Sequence, residues 1–355
     1  MNDAIKKLLD HPVSFLDDTC PKGGIAISTR IRLARNIAGF PFPSAAGDDD
    51  KRQVCEMVST AIRESGALNF NDSCREFDPE LLDDTDRQLL LERRLASAEF
   101  ITPPFTGKRL FVCPMERCSI MINEEDQLRM QSIRPGYQLD EVFAEINAID
   151  DALSRKLPFA FDEQLGFLTS CPTNVGTGMR ASVMLHLPGL VLTGQIAPTI
   201  HGISKLHLAV RGIFGEGSDN RGNLFQISNQ STLGESEENI LSTLSAVIDQ
   251  LIHHEKRARQ TLLQDDRYGL LDYIGRSYGI LRHSYKLSGE EALKSLSGVR
   301  LGVDLGLFNS VDIGKVNELF IATGSAHLQE RAGILLSSDE RDIRRAQLCR
   351  EMLKN

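Results

Sequence analysis

The stretch GIAISTRIRLARN, residues 24–36, constrains the fold more than any other segment. Strand side chains alternate, so Ile27, Thr29, Ile31 and Leu33 take one face and Ser28, Arg30 and Arg32 take the other. A sheet built around this strand can bury the apolar face in a core. It can bury the other face only where something anionic meets the guanidinium groups, because an unpaired buried charge is costly. Two arrangements follow: a sheet with one solvated face, or a sheet whose arginine face lines an anion site. Planar guanidinium groups suit phosphate oxygens, which favours the second where other basic residues converge.

The chain has 355 residues, enough for one large domain and a smaller one. Its formal charge of −9 argues against nonspecific nucleic-acid binding, which needs a basic face. The most apolar window, Ser182 to Ala197, holds His186, Pro188, Gly189 and Gly194 and is too short to span a membrane. The opening MNDAIKKLLD carries charges where a signal peptide needs an apolar run, so a cytoplasmic location is expected. Seven cysteines, at positions 20, 55, 74, 113, 118, 171 and 349, form a scattered, odd set that suits free thiols. Cys113 and Cys118 lie close in sequence, but no second pair or histidine cluster completes a zinc site.

The acidic run GDDDKR leads into a helix predicted over 52–64. Strand patterns follow in RLFVC, RCSIMIN and QLRMQSI, then a helix over 139–157 and strands over 165–171, 206–214 and 223–229. From Glu235 onward helical periodicity dominates. Strands that come in runs favour an α+β fold, an antiparallel sheet flanked by helices, with a helical domain after it. The expected division is 1–257 and 258–355.

SCPTNVGTGMRASVMLH, from Ser170, reads as the end of a strand, a Pro/Asn/Gly turn and a helix. Its glycines mimic a dinucleotide fingerprint, but no acidic residue follows at the required spacing and Arg180 has no place in one. Neither a Gly-Lys-Ser/Thr phosphate loop nor a Gly-x-Ser-x-Gly turn occurs. Two further stretches stand out. In NEEDQLR, Glu125 and Arg129 share a face in helix or strand, as a surface ion pair or as site groups. In VRGIFGEGSDNRGN, Arg211 ends an apolar strand and Glu216 follows a glycine-bearing turn, which is either a plain hairpin loop or a place where backbone approaches a ligand.

STRIRLARN, NEEDQLR, CPTNVGTGMRAS and VRGIFGEG together resemble the signatures of the phosphagen kinases, the arginine and creatine kinases, in that family's order. The likeness is stronger to the bacterial protein arginine kinase branch. The Ser-x-Arg-x-Arg strand starts at Ser28 with no long helical domain before it, and the helical extension comes at the end. That extension contains ERDIRRAQ, which matches the branch's Arg-Asp-x-x-Arg-Ala motif at Arg341, Asp342, Arg345 and Ala346.

The resemblance implies a phosphagen-kinase-like fold and transfer of the γ-phosphoryl of Mg-ATP to arginine side chains of proteins. It implies an ATP-phosphate clamp of Ser28, Arg30, Arg32, Arg129, Arg180 and Arg211, and a carboxylate pair, Glu125 and Glu216, that holds the acceptor guanidinium. Cys171 corresponds to the family's active-site cysteine. Arg94 in ERRLAS stands where the family usually has a histidine. The Arg-Asp-x-x-Arg-Ala motif implies an allosteric phosphoarginine pocket near a homodimer contact. Mg2+ would be carried by ATP rather than by protein ligands. The branch further implies a zinc-binding activator, an AAA+ protease partner and a role in stress response. The alternatives are a kinase of a small free guanidino compound and a weakly catalytic phosphoarginine-binding module.

The chemistry suits these residues. Phosphoryl transfer needs positioning and charge neutralisation more than covalent chemistry. Deprotonating a free guanidinium at neutral pH costs roughly 9 kcal/mol, from a pKa of about 13.8, so a carboxylate must take the proton as the N–P bond forms. A cysteine at a helix start near arginines is expected as a thiolate that polarises the acceptor. In the tail, Ser337 and Glu340 form a capping-box pattern, and Arg341 and Arg345 lie one turn apart.

Overall fold

The computed structural model describes residues 3–16, 24–68, 74–212, 221–308 and 310–354. Glu216 and Cys20 lie outside the described residues. The strands are β1 (Ala26–Arg35), β2 (Arg75–Phe77), β3 (Arg109–Val112), β4 (Cys118–Ile122), β5 (Leu128–Pro135), β6 (Phe161–Asp162), β7 (Gly166–Phe167), β8 (Met179–His186), β9 (Leu208–Gly212) and β10 (Leu224–Asn229). All but β6 and β7 join one eight-stranded antiparallel sheet in the order β2-β3-β4-β5-β1-β8-β10-β9. The α+β architecture is therefore as expected, with β1 near its centre.

The helices before the tail are α1 (Asp3–Leu9), α2 (Asp48–Ser65), α3 (Asp84–Glu92), α4 (Leu139–Ser154), α5 (Pro188–Leu192), α6 (Ile196–Ser204) and α7 (Glu237–Asp265). The tail is helical, with α8 (Arg267–His283), α9 (Gly289–Asp304), α10 (Ile313–Ala322), α11 (Ser325–Ala332) and α12 (Ser338–Met352). One unbroken helix, α7, runs through residues 257 and 258.

Alternation decides which face each strand presents. Ile31 and Leu33 of β1, Ile120 and Ile122 of β4, Met130 of β5 and Ala181, Val183 and Leu185 of β8 enter the main core. That core is closed by α2, α4 and α7 through residues such as Val58, Ile146 and Leu244. The opposite face is apolar only at its flanks. Leu110, Val112 and Met121 pack with Leu89 and Leu90 of α3 at one end. Ile133, Met184 and Leu224 pack with the tail helices at the other. The polar middle is left between them.

Three expectations need correction. Ile27 was placed with Ile31 and Leu33, but a bulge between Ala26 and Ser28 turns it to the other face, into the cluster with Ile133 and Met184. Residues 179–186 were read as a helix and are the strand β8. Met179, Ala181, Val183 and Leu185 repeat every second residue, and this period wins over the local likeness to a glycine-turn-helix. Of the strand expected over 165–171, only Gly166 and Phe167 pair, in the small β6–β7 ladder.

The turn into β8 is tight. Gly178 has φ +64, and a Cβ there would lie 2.5 Å from Arg35 Nη1 and 2.6 Å from the Ala34 carbonyl oxygen. Gly178→Ala should lower unfolding free energy by about 1–3 kcal/mol or more, from the left-handed backbone plus the clash. Urea denaturation of the two proteins checks this.

Candidate functional site

The register of the sheet stacks basic residues across strands. On β1 the site face carries Arg30, Arg32 and Ala34. Arg180 of β8 pairs with Arg32, and Arg129 of β5 pairs with Ala34. Arg211 of β9 pairs with Gln226 of β10. These five arginines line one cavity of about 1260 Å3, together with Arg94, Glu124, Glu125, Asp126 and Cys171. Ser28 shares their face but is buried and does not line the cavity.

The strip is electrostatically unfinished. Burial, then the neighbouring Arg94, Arg129 and Arg180, push Arg30 down to about 9. Burial, then Arg30, Arg129 and Arg180, hold Arg32 far below the usual guanidinium range, with Glu124 opposing. Burial alone lowers Arg94 to about 10. The Arg32 Nε is buried without a hydrogen-bond partner. Arg30 donates to Gln226 Oε1 at 3.2 Å, and Arg180 donates to Ser228 Oγ at 3.1 Å. Cations that lower one another's pKa in a shared cavity fit a polyanion, and a triphosphate has the charge and the oxygen count for it.

Arg129 is the exception. Burial lowers its pKa but Glu124 raises it further, and the net is upward. Glu124 also accepts from Ser97 Oγ and from the Glu125 amide. Burial pushes the Glu124 carboxyl up, yet Arg129 and these donors leave it below the usual range. Its neighbour Glu125 is exposed, and burial of its carboxyl, then Asp126 and Glu124, raise it. Adjacent carboxylates thus stand in different environments: Glu124 holds an arginine, and Glu125 lines the cavity exposed and with a raised pKa.

Asp126 positions the thiol. It accepts from the Ser170 amide at 2.6 Å and from Asn36 Nδ2 at 2.7 Å. It thereby ties the segment before Cys171 to the end of β1. Cys171 is half-buried, and its sulfur lies 3.0 Å from Thr173 Oγ1. The helix expected to follow it is a single 3-10 turn, Pro172–Asn174, so no helix dipole points at the sulfur.

The tail motif sits on α12. Ser337 and Glu340 cap it reciprocally, as expected. Arg341, Asp342 and Arg345 line the same cavity as the arginine strip, beside the N-termini of α9 and α11 at Ser288, Gly289, Gly324 and Ser325. Arg345 is buried and donates to the carbonyls of Thr323 and Leu287 at 2.9 Å each. Arg341 donates to the Leu336 carbonyl at 2.9 Å. Ala346 lies in the helical core and not on the cavity.

The sequence reading passed over Glu124, Asp126, Asn36 and Ser97. Three acids in a row in NEEDQLR were the available signal; which one faces a ligand depends on partners far away in the chain.

The ATP:guanido phosphotransferase C-terminal catalytic domain model matches residues 53–258, and the protein-arginine kinase McsB C-terminal domain model matches 267–355. The chain is 43% identical over 353 residues to the protein-arginine kinase of Halothermothrix orenii, covering 99% of both. It is 47% identical over 355 residues to that of Halalkalibacterium halodurans, covering 99% of this chain and 98% of that one. Among solved structures, it resembles lombricine kinase with a TM-score of 0.57 at 24% identity, covering 72% of this chain and 74% of that one. A duplicated taurocyamine kinase of Schistosoma mansoni gives 0.58 at 25% identity, covering 70% and 35%.

The unpartnered Arg32 Nε carries a test. Arg32→Ala should weaken binding of inorganic tripolyphosphate by about 10- to 100-fold, the worth of a charge-assisted hydrogen bond, as read by calorimetry at fixed salt.

Proposed function

The chain belongs to the ATP:guanido phosphotransferase family, in its protein-arginine kinase branch, and we propose that it transfers the γ-phosphoryl group of ATP to arginine side chains of proteins. The observation that carries this reading is the strip of mutually repelling arginines opening onto an exposed carboxylate with a raised pKa and a thiol in the same cavity.

In this reading Arg30, Arg32, Arg129, Arg180 and Arg211 hold the phosphates, and Arg94 extends the strip where relatives of the wider family use a histidine. Glu125 and Glu216 orient the acceptor guanidinium by forked hydrogen bonds. As the acceptor nitrogen bonds to phosphorus and the bond to ADP breaks, Glu125 takes the N–H proton. Cys171, held through Asp126, supplies a polarisable sulfur beside the acceptor. Mg2+ arrives with the nucleotide and adds charge neutralisation at its phosphates.

The tail from residue 258 would bind phosphoarginine through Arg341, Asp342 and Arg345 and carry a homodimer contact, with Ala346 packing the helix. The family resemblance extends the proposal to a cytoplasmic setting, a zinc-binding activator, a role in stress response and marking of substrates for an AAA+ protease.

Incubation with ATP and an arginine-rich protein should yield acid-labile phosphate on arginine; label confined to free arginine would overturn the protein-substrate reading. Glu125→Gln should lower turnover by about 10²–10⁴-fold, the usual contribution of a general base, with ATP affinity unchanged. Because the Glu125 pKa is raised, its base form is lost as pH falls through a value above the ordinary carboxylate range. Turnover should decline on that acid limb, and rate–pH profiles of Glu125→Gln should lack it. Arg341→Ala should weaken phosphoarginine binding by about tenfold or more on calorimetric titration. It is the clean probe of the pocket, since Arg345 also ties three helix ends together.

A further inference from the structure

Three consecutive charged residues at the end of α3 reach three different places. Glu92 accepts from the backbone amides of Ala326 and His327, at 2.9 and 3.1 Å, and so caps α11 of the tail. The approach is close: a Cβ on Gly324 would lie 2.4 Å from Glu92 Oε2. Arg93 is buried in a two-pronged pair with Glu116, at 2.7 and 2.8 Å, and donates to the His11 carbonyl at 3.1 Å. Arg94 has φ +59, and its head group lines the cavity beside the arginine strip. The Arg93–Glu116 pair is thus the fixed point between the tail cap and the anion site.

Glu116 belongs to the turn Pro114–Glu116 that joins β3 to β4, where Met115 and Glu116 have φ of +60 and +59. Non-glycine residues rarely adopt that conformation. The turn is flanked by Cys113 and Cys118, which face each other one step beyond the Val112–Ser119 pair. The Cys113 amide donates to the Cys118 carbonyl at 2.9 Å, and the Cys118 amide donates to the Cys113 sulfur at 2.8 Å. Both thiols are free, and the Cys113 sulfur also lies 3.4 Å from the Pro114 carbonyl oxygen. The Cys118 thiol holds the Cys113 sulfur below its usual pKa, and that contact and burial push Cys118 up.

We propose that Cys113 and Cys118 form a reversible disulfide that loosens the Glu116–Arg93 pair and weakens anion binding at the Arg94 end of the strip; this last effect rests on the nucleotide-site reading above. Cross-strand Cβ atoms stand about 4.5–5.5 Å apart, whereas a disulfide wants about 3.5–4.5 Å. Closing the bond draws the strand ends together, and the turn that carries Glu116 absorbs the movement. A bond closed under such strain is also readily reduced.

Hydrogen peroxide is small enough to reach Cys113, which keeps an exposed edge of 8%. The Cys113 thiolate attacks one peroxide oxygen, the O–O bond breaks, and hydroxide leaves as Cys113 sulfenic acid forms. The Cys118 sulfur then attacks the sulfenic sulfur. The S–S bond forms, the S–O bond breaks, and the departing hydroxide takes the Cys118 proton to leave as water. Two thiols lose two electrons in total, and peroxide is reduced to water. A dithiol reductant reverses the change.

The full chain carrying Cys171→Ser, which removes the site thiol as a competing target, is treated with hydrogen peroxide and digested with trypsin without reduction. Cleavage after Arg109, Arg117 and Arg129 should release Leu110–Arg117 joined to Cys118–Arg129. ATP affinity by calorimetry should fall by on the order of fivefold or more and recover with dithiothreitol. A further Cys118→Ser substitution should abolish both effects. Absence of the joined peptide, or a joined protein that binds ATP as the reduced one does, overturns the proposal. Failure of the reduced protein to bind ATP would instead remove the nucleotide reading and the claimed effect on it, while the joined peptide would still uphold the disulfide.

Discussion

The structure is organised around mutual repulsion among guanidinium groups on one sheet face. Arg30, Arg32, Arg129, Arg180 and Arg211 are brought together by strand register, and burial with neighbouring arginines lowers the pKa of Arg30 and Arg32. The sheet tolerates this because its other face closes a large apolar core with α2, α4 and α7. Apolar clusters then seal both ends of the arginine face and leave the middle open. The unfavourable charge is stored in an open cavity, where a polyanion would neutralise it.

Arg129 has a buried carboxylate partner in Glu124. This pairing fixes one end of the strip and separates two adjacent acids by environment. Glu124 is buried and committed to an arginine; Glu125 is exposed and has carboxylate neighbours that favour its protonation. One strand-end loop thus provides a buried ion pair and an exposed carboxylate of raised pKa within two residues. The tail is built into the same arrangement. Glu92 caps α11 and Arg94 lines the cavity of the strip, with Arg93 paired to Glu116 between them, so one short segment touches both the tail and the anion site.

Much of this was legible in the sequence because it depends on short-range periodicity. The alternation in STRIRLARN named the arginine face, and the strand runs gave the antiparallel sheet. The capping box at Ser337 marked the start of α12. Where a local pattern was ambiguous, the reading failed. Glycines before MRASVMLH suggested a helix, although every second residue there is apolar and the segment lies against β1. The bulge at Ile27 was invisible, since nothing in the local pattern distinguishes a regular strand from one with an inserted residue. Ser28 shares the arginine face by parity but is buried and lies off the cavity lining.

The sequence by itself determined the residue types of the site and the faces of the strands that carry them, because side-chain direction follows from backbone period over a few residues. Tertiary structure decided which acid pairs with Arg129, that Asp126 holds the segment before Cys171, and that Arg341 and Arg345 open onto the same cavity as the arginine strip. The Asp126–Ser170 bond and the shared cavity join residues distant in the chain, and Arg341 and Arg345 reach that cavity only once the tail helices pack against the sheet.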